Sequence, residues 1–497
     1  MSAFERLLTL WGTVCDLRNA SAVLEWDELV FMPPGGADAR GEQLATLHRL
    51  AHERLIAPEM AVAITDAEEE PGTDDIQKAA LRVARREHDR AQRVPPELVA
   101  AMSRAASAGY QAWIAARRAG DYGIFAPALG HLLDLARQRA DAIGHDGQRY
   151  DALLGDHEPG MRTARVQAVL REVEAGIRPL LGKVTSRPRP KGRHDLGQPT
   201  SEAAQIEAGR VAITAFGFRW EDGRQDRSVH PFSTSFSPHD TRITTRLSHQ
   251  DFGQGFFATL HEAGHALYEQ GIPPAWSRGP LGQAASTGVH ESQSRLWENQ
   301  VGRSLAFWRY FLPLGRACLP EVFAGCGPED VYQAVNAVRP SLIRVEADEV
   351  TYPLHIALRL ELELALLSGD LPVADLPGAW NEGMQRKLGL RPPDDVHGVL
   401  QDVHWSGGNF GYFPSYALGN IIAAHWMEAA RARLGDLDAL IAAGDFAPLL
   451  GFLREEIHAR GATCLPEDLV VEVTGGPLTA GPYLDSLRGK YEEMYGV

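Results

Sequence analysis

Apolar residues recur at helical spacing along most of this chain. Glu42 to Leu55, Asp75 to Ala91, Pro96 to Ala116 and Arg165 to Leu181 each place them on one face, the pattern of amphipathic or buried helices. A longer helix is predicted over Ser341 to Leu367, where Pro353 removes an interior donor and calls for a kink or break near Thr351. One region departs from this period. Between Ser228 and Leu247, Phe232 to Phe236 and Arg242 to Thr245 alternate as short strands do, with Pro238 to Asp240 between them. Acidic Asp66 to Asp75 reads as a surface loop, and Thr185 to Pro199, rich in proline, glycine and basic residues, as an exposed connection between two lobes. The chain carries no internal repeat, low-complexity tract or heptad series.

One predicted helix carries chemistry. Phe256, Phe257, Leu260, Ala263, Gly264 and Leu267 recur at helical spacing, Asp251 can cap the start, and Gly271 with Pro273 and Pro274 supplies the stop. Within it, His261-Glu262-Ala263-Gly264-His265 matches the H-E-x-x-H pattern. Residues four apart share a helix face, so two imidazoles can meet one metal ion while Glu262 stands beside them. The bland alternative is a core helix with two hydrogen-bonded histidines. A hydrolytic zinc site takes three protein ligands and leaves one position open, so a third donor is expected downstream. Thr287 to Asn299 reads as a second helix, capped by Thr287, and offers Glu291 near its first turn. His290 and Glu298 are rival donors on the same segment.

Length and charge narrow the function. At 497 residues and 44% hydrophobic content, the chain can bury a large core, as one big domain or two intimate lobes. A net charge of −16 disfavours nucleic acid, whose phosphates are met by clustered lysine and arginine. Glu5, Arg6, Asp16, Arg18, Glu25 and Asp27 interrupt the first thirty residues, so no secretory signal is read there, and no segment is apolar enough for a membrane span. Cys15, Cys318, Cys326 and Cys464 are scattered, which suits a reducing cytoplasm. By pattern alone, Arg344 and Asp348, one helical turn apart with Tyr352, His355 and Arg359 following on the same stripe, read as a surface ion pair.

Separated blocks then change the weighting. His261 to His265, His290 to Gln293, Ile343 to Asp348 and Gly411 to Pro414 are joined by His230 to Phe232, Asp240 to Thr244 and Gly398 to Trp405. Together with Glu25-Trp26-Asp27 and Met32 to Gly36, they make the whole chain resemble the thermostable carboxypeptidase, or carboxypeptidase Taq, family of zinc peptidases. The resemblance implies a mainly helical, zincin-type peptidase, one domain over residues 1–497, with a long groove between two lobes and a small sheet beside the metal. It implies release of single residues from peptide carboxyl termini with broad specificity, a zinc ion (cobalt or manganese also suit the donors), and a homodimer. No nucleic-acid or membrane partner is expected.

The site residues follow from motif and resemblance together. His261, His265 and Glu291 are the expected ligands, and Glu262 the general base. Arg242 and Arg344 are candidates for the substrate carboxylate, because a planar guanidinium binds both oxygens. Tyr412, in a glycine-rich loop from Ser406 to Pro414, is expected to hydrogen-bond either the developing oxyanion or the carboxylate. His230, Asp240 and His404 complete the expected substrate contacts. The rivals are a zinc oligoendopeptidase with the same metal set and a helical peptide-binding scaffold with a dead site.

Overall fold

In the structure, a computed structural model that describes residues 1–187 and 196–497, helices dominate and a single three-stranded sheet interrupts them. The chain forms two compact units, each assembled from three segments. The first comprises Met1–Gln92, Lys191–Val335 and Ile422–Pro477, the second Arg93–Pro190, Asn336–Ile421 and Leu478–Val497. The connection expected over 185–199 lies largely on residues 188–195, outside the described residues. No helix among the described residues is long and apolar enough to cross a membrane. The four cysteines are unpaired thiols.

The four helices read from periodicity are present, each longer at one or both ends, as Ala37–Leu55, Asp75–Arg93, Pro96–Ala119 and Thr163–Thr185. In the first unit, the amino-terminal segment is itself a 28-residue helix, Ala3–Val30, started by a capping box between Ser2 and Glu5. It buries Leu7, Trp11 and Val14 against Met60, Ala63 and Ile64. A second core lies behind the H-E-x-x-H segment, in helix Phe252–Glu269. There Phe252 and Phe256 pack among Phe307, Trp308, Phe311 and Phe323 with ring centres about 5–6 Å apart. Asp251 caps this helix by accepting from Gly253 N at 2.9 Å.

The sheet has one strand more than periodicity indicates. Strand β1 (Gly223–Arg227) pairs in parallel with β3 (Asp240–Thr245), and β2 (Ser233–Ser237) pairs antiparallel on the other side, in the order β1-β3-β2. Gly-Arg-Gln-Asp-Arg has no apolar alternation, so only its pairing with β3 makes it a strand.

In the second unit the helix expected from Ser341 starts at Tyr352 and runs to Ser368, with Pro353 in its first turn. Proline is tolerated there because the missing N–H lacks a helical partner anyway. The residues before it fold back: Asp348 Oδ1 accepts from Val350 N and Thr351 N, both at 3.0 Å, and its Oδ2 from Arg339 N at 2.9 Å. Arg344 therefore lies in a 3₁₀ turn, Arg344–Glu346, and no surface ion pair with Asp348 forms. Leu354, Ile356, Leu358 and Leu366 of this helix are buried, as are Leu153, Leu154, Val173, Ile177, Trp380 and Met384 in the same unit.

Candidate metal centre and substrate-facing cluster

Helix Phe252–Glu269 and helix Thr287–Arg295 meet at Gly264, and that contact sets the geometry of the centre. A Cβ on Gly264 would lie 2.5 Å from Gln293 O and 2.6 Å from Ser294 Cα, so only glycine permits this approach. Ser286, rather than Thr287, caps the second helix, accepting from Val289 N at 3.0 Å. The helix then widens into π-helical turns over Leu296–Val301, a departure frequent at functional sites. His261, His265 and Glu291 converge, with ligand atoms all within 4.8 Å of one another. Glu291 Oε2 stands 3.3 Å from His265 Nε2 and 3.6 Å from His261 Nε2.

These distances suit a bound ion. Around a four-coordinate centre with ligand bonds of about 2.0–2.2 Å, neighbouring ligand atoms lie roughly 3.4 Å apart. The donor set, two imidazole nitrogens and one carboxylate oxygen, is that of a small divalent metal with a position left open. Of the rival donors, Glu298 Oε2 lies 2.9 Å from His261 Nδ1 and His290 Nδ1 lies 2.6 Å from His265 Nδ1, so both sit on the far side of the rings. With each Nε2 kept free for a metal, His261 donates to Glu298 and His265 to His290, whose Nε2 donates to Glu269 Oε1 at 2.8 Å. In the sequence Glu298 and His290 stand only as rival donors, and spacing does not mark them as partners behind the rings.

Buried charge surrounds the three donors. Arg295 Nε donates to Glu291 Oε1 at 2.7 Å, and Ser294 Oγ donates to Oε2 at 3.0 Å. Burial opposes the charged form of Glu291, yet Arg295 and the two histidines hold its pKa well below the carboxylate range. Glu298 is brought down to about 2 against burial by His261, Arg295 and Arg303. Burial takes His265 down to about 3, which keeps it neutral and able to ligate. It also opposes protonation of His261, but Glu291 and Glu298 outweigh it and the pKa rises. Glu262 is 6% exposed and has its pKa lifted to about 7, chiefly by burial.

The family model for carboxypeptidase Taq (M32) metallopeptidases matches residues 6–491. The chain belongs to that family. It is a metal-dependent carboxypeptidase, and its fold is the family's: the crystal structure of an M32 carboxypeptidase from Deinococcus radiodurans superimposes with a TM-score of 0.97 at 41% identity, each chain covered in full (100%). The "Thermostable carboxypeptidase 1" of Thermus thermophilus is 42% identical over 510 aligned residues, covering 100% of this chain and 99% of that protein. The "Carboxypeptidase 1" of Bacillus subtilis is 35% identical over 96% of this chain and 95% of its own length.

The remaining candidate residues of this metallocarboxypeptidase fall into two groups. On the sheet of the first unit, Arg242 makes two parallel 2.9 Å bonds to Asp240 and lies over the Trp26 ring at 4.2 Å and the Phe236 ring at 4.9 Å. His230 is exposed, and its carbonyl accepts from Ser228 Oγ. In the second unit, Arg344 is 6% exposed, donates from Nε to Asp402 Oδ1 at 2.9 Å and from Nη1 to the Tyr352 hydroxyl at 3.2 Å, and lies over the Tyr416 ring at 4.8 Å. Among the described residues, its Nη2 has no hydrogen-bond partner. Asp402 also accepts from Arg359 Nε at 2.7 Å, and the two guanidiniums hold its carboxyl far below the ordinary range although burial opposes this. His404 Nε2 meets the Tyr416 hydroxyl at 3.0 Å, and Tyr412 lies with its ring 5.6 Å from His404 and 4.9 Å from His157. Asp402 and Tyr416 lie beside singled-out residues, within or next to the family blocks, yet only the packing shows what they touch. In the sequence, Arg359 is marked only by its place on a helix stripe.

Proposed function

We propose that the protein releases single residues from the free carboxyl termini of peptides, with broad preference, and that its metal is zinc held by His261, His265 and Glu291. Support comes from the convergence of two Nε2 atoms and one carboxylate oxygen, the oxygen 3.3 and 3.6 Å from the two nitrogens, with second partners fixing both rings. When bound, zinc supplies Lewis acidity, making a water more acidic and polarising the scissile carbonyl. Glu262 follows His261 on the same helix turn, and its buried carboxylate takes the water's proton and later delivers it to the leaving nitrogen.

The two arginines are assigned different tasks. Asp240 already fills the fork of Arg242, so that pair, with His230, orients the chain beside the sheet. A sheet edge engages main chain, which supports broad side-chain preference. Arg344 keeps Nη2 for the substrate carboxylate while Asp402 fixes the guanidinium plane. Tyr412 and His404 border this second group, with the Tyr412 hydroxyl assigned to hydrogen-bond the substrate.

One experiment tests the reading. The enzyme is incubated with an unmodified peptide and its carboxyl-amidated twin, with and without a chelator, and products are read by mass over time. Stepwise loss of carboxyl-terminal residues from the unmodified peptide alone, abolished by chelation and by Glu262→Gln with zinc content retained, is expected. Internal cleavage of both peptides would instead identify an oligoendopeptidase, and full turnover in Glu262→Gln would end the general-base assignment.

A further inference from the structure

Glu363 is a fully buried acid that the steps above do not use. It lies on helix Tyr352–Ser368 at 0% exposure, flanked by buried Leu362 and Leu366. Its Oε2 accepts from the Tyr150 hydroxyl at 2.7 Å and from Gly411 N at 3.2 Å, and its Oε1 accepts from Trp405 Nε1 at 2.8 Å. Gly411 N and Trp405 Nε1 can only donate and the Tyr150 hydroxyl donates here as well, an arrangement that fits a carboxylate. Burial pushes the pKa up to about 7, and the three donors and Arg359 pull against it.

The three donors come from segments that also carry the aromatic and imidazole groups around Tyr412. Tyr150 lies on helix Arg149–His157, whose last residue sets its ring edge against Tyr412. Trp405 follows His404 in the turn His404–Gly407. Gly411 immediately precedes Tyr412 and has φ +87°, with a virtual Cβ only 2.7 Å from Leu153 C, so the loop is pressed onto the same helix. One carboxylate thus holds Trp405, just before the loop, and Gly411, the residue preceding Tyr412 within it.

We infer that Glu363 is a positioning residue for the peptidase reaction: its buried carboxylate ties Trp405 and Gly411 to the Tyr150 helix and so aims Tyr412 at the substrate before substrate arrives. The inference rests on the assignment of Tyr412 to substrate contact. A four-cornered cycle of the wild type, Glu363→Gln, Tyr412→Phe and the double variant tests it, with kcat and KM on an unmodified peptide, zinc content and Tm measured for each. Gln keeps the shape but turns an NH2 toward one of the donors. Each single variant is expected to lose at least about tenfold in kcat with zinc retained, and the double variant to fall no more than about threefold below the weaker single, because a misplaced Tyr412 has little left to lose.

Losses that multiply in the double variant, or full activity in Glu363→Gln, would overturn the inference and leave Glu363 a packing residue. An unimpaired Tyr412→Phe beside an impaired Glu363→Gln would overturn the Tyr412 assignment itself, and this inference with it. Should Glu363→Gln fail to fold, Trp405→Phe, which deletes one donor to Oε1, takes its place in the same cycle under the same criteria.

Discussion

Replacing Gly264 by alanine isolates the contact that brings Glu291 to the two histidines. In an ordinary helix interior the change would stabilise by about 0.5–1 kcal/mol, because alanine loses less backbone freedom. Here the new methyl would lie 2.5 Å from Gln293 O and 2.6 Å from Ser294 Cα, both backbone atoms that cannot swing aside. Relief to ordinary contact distance requires the two helices to part by roughly 0.8 Å, an overpacking strain of about 1–3 kcal/mol. A metal site tolerates only about 0.2 Å of error in its ligand distances. The 3.3 Å separation of His265 Nε2 and Glu291 Oε2 therefore cannot survive the shift. Zinc affinity is expected to fall by about 10–100-fold, the range seen when the supports of a metal ligand are disturbed. Competition titration against a chromophoric chelator gives the affinity, and thermal unfolding of the metal-free protein gives the strain. A Gly264→Ala protein with raised Tm and unchanged zinc affinity would refute the argument that helix contact sets the site.

Other expectations follow from the same geometry. Glu291→Ala should abolish stoichiometric zinc, whereas Glu298→Gln should keep zinc with an affinity about 10–100-fold weaker, read by elemental analysis after dialysis; the reverse order would move the ligand role to Glu298. Arg344→Ala should reduce kcat/KM on a free-carboxylate peptide far more than any residual cleavage of its amidated twin, and equal losses would argue against carboxylate capture. Asp402 has a folded pKa below its unfolded value, so it contributes stability above about pH 4 that is lost as the pH falls through the folded value. Asp402→Asn should cost about 3–5 kcal/mol at neutral pH by leaving Arg344 and Arg359 uncompensated, and should flatten the acid limb of a Tm-against-pH curve; matching curves for variant and wild type would refute this.

Much of the fold was legible because helical periodicity is local. The H-E-x-x-H helix, with Asp251 as its cap, could be read residue by residue, since capping and i,i+4 pairing need no knowledge of distant chain. Reading failed where distant partners decide. Strand β1 has no apolar alternation and exists through its ladder with β3. The segment from Ser341 to Val350 carries a helical pattern, yet Asp348 captures nearby backbone N–H groups and Pro353 fits best in a first turn.

The sequence by itself determined that His261 and His265 share a face with Glu262 beside them, because a helix fixes those directions whatever surrounds it. It favours Glu291 as the third donor but keeps His290 and Glu298 as rivals, all three within a nine-residue stretch. Tertiary structure decides where the three side chains lie: the approach of two helices at Gly264 puts Glu291 on the Nε2 side of both rings and the other two on the Nδ1 side. It likewise gave Arg344 its partner in Asp402, fifty-eight residues away in the chain. Such pairings depend on through-space distances of a few ångströms, and a linear pattern encodes those only where the chain's own local geometry sets them.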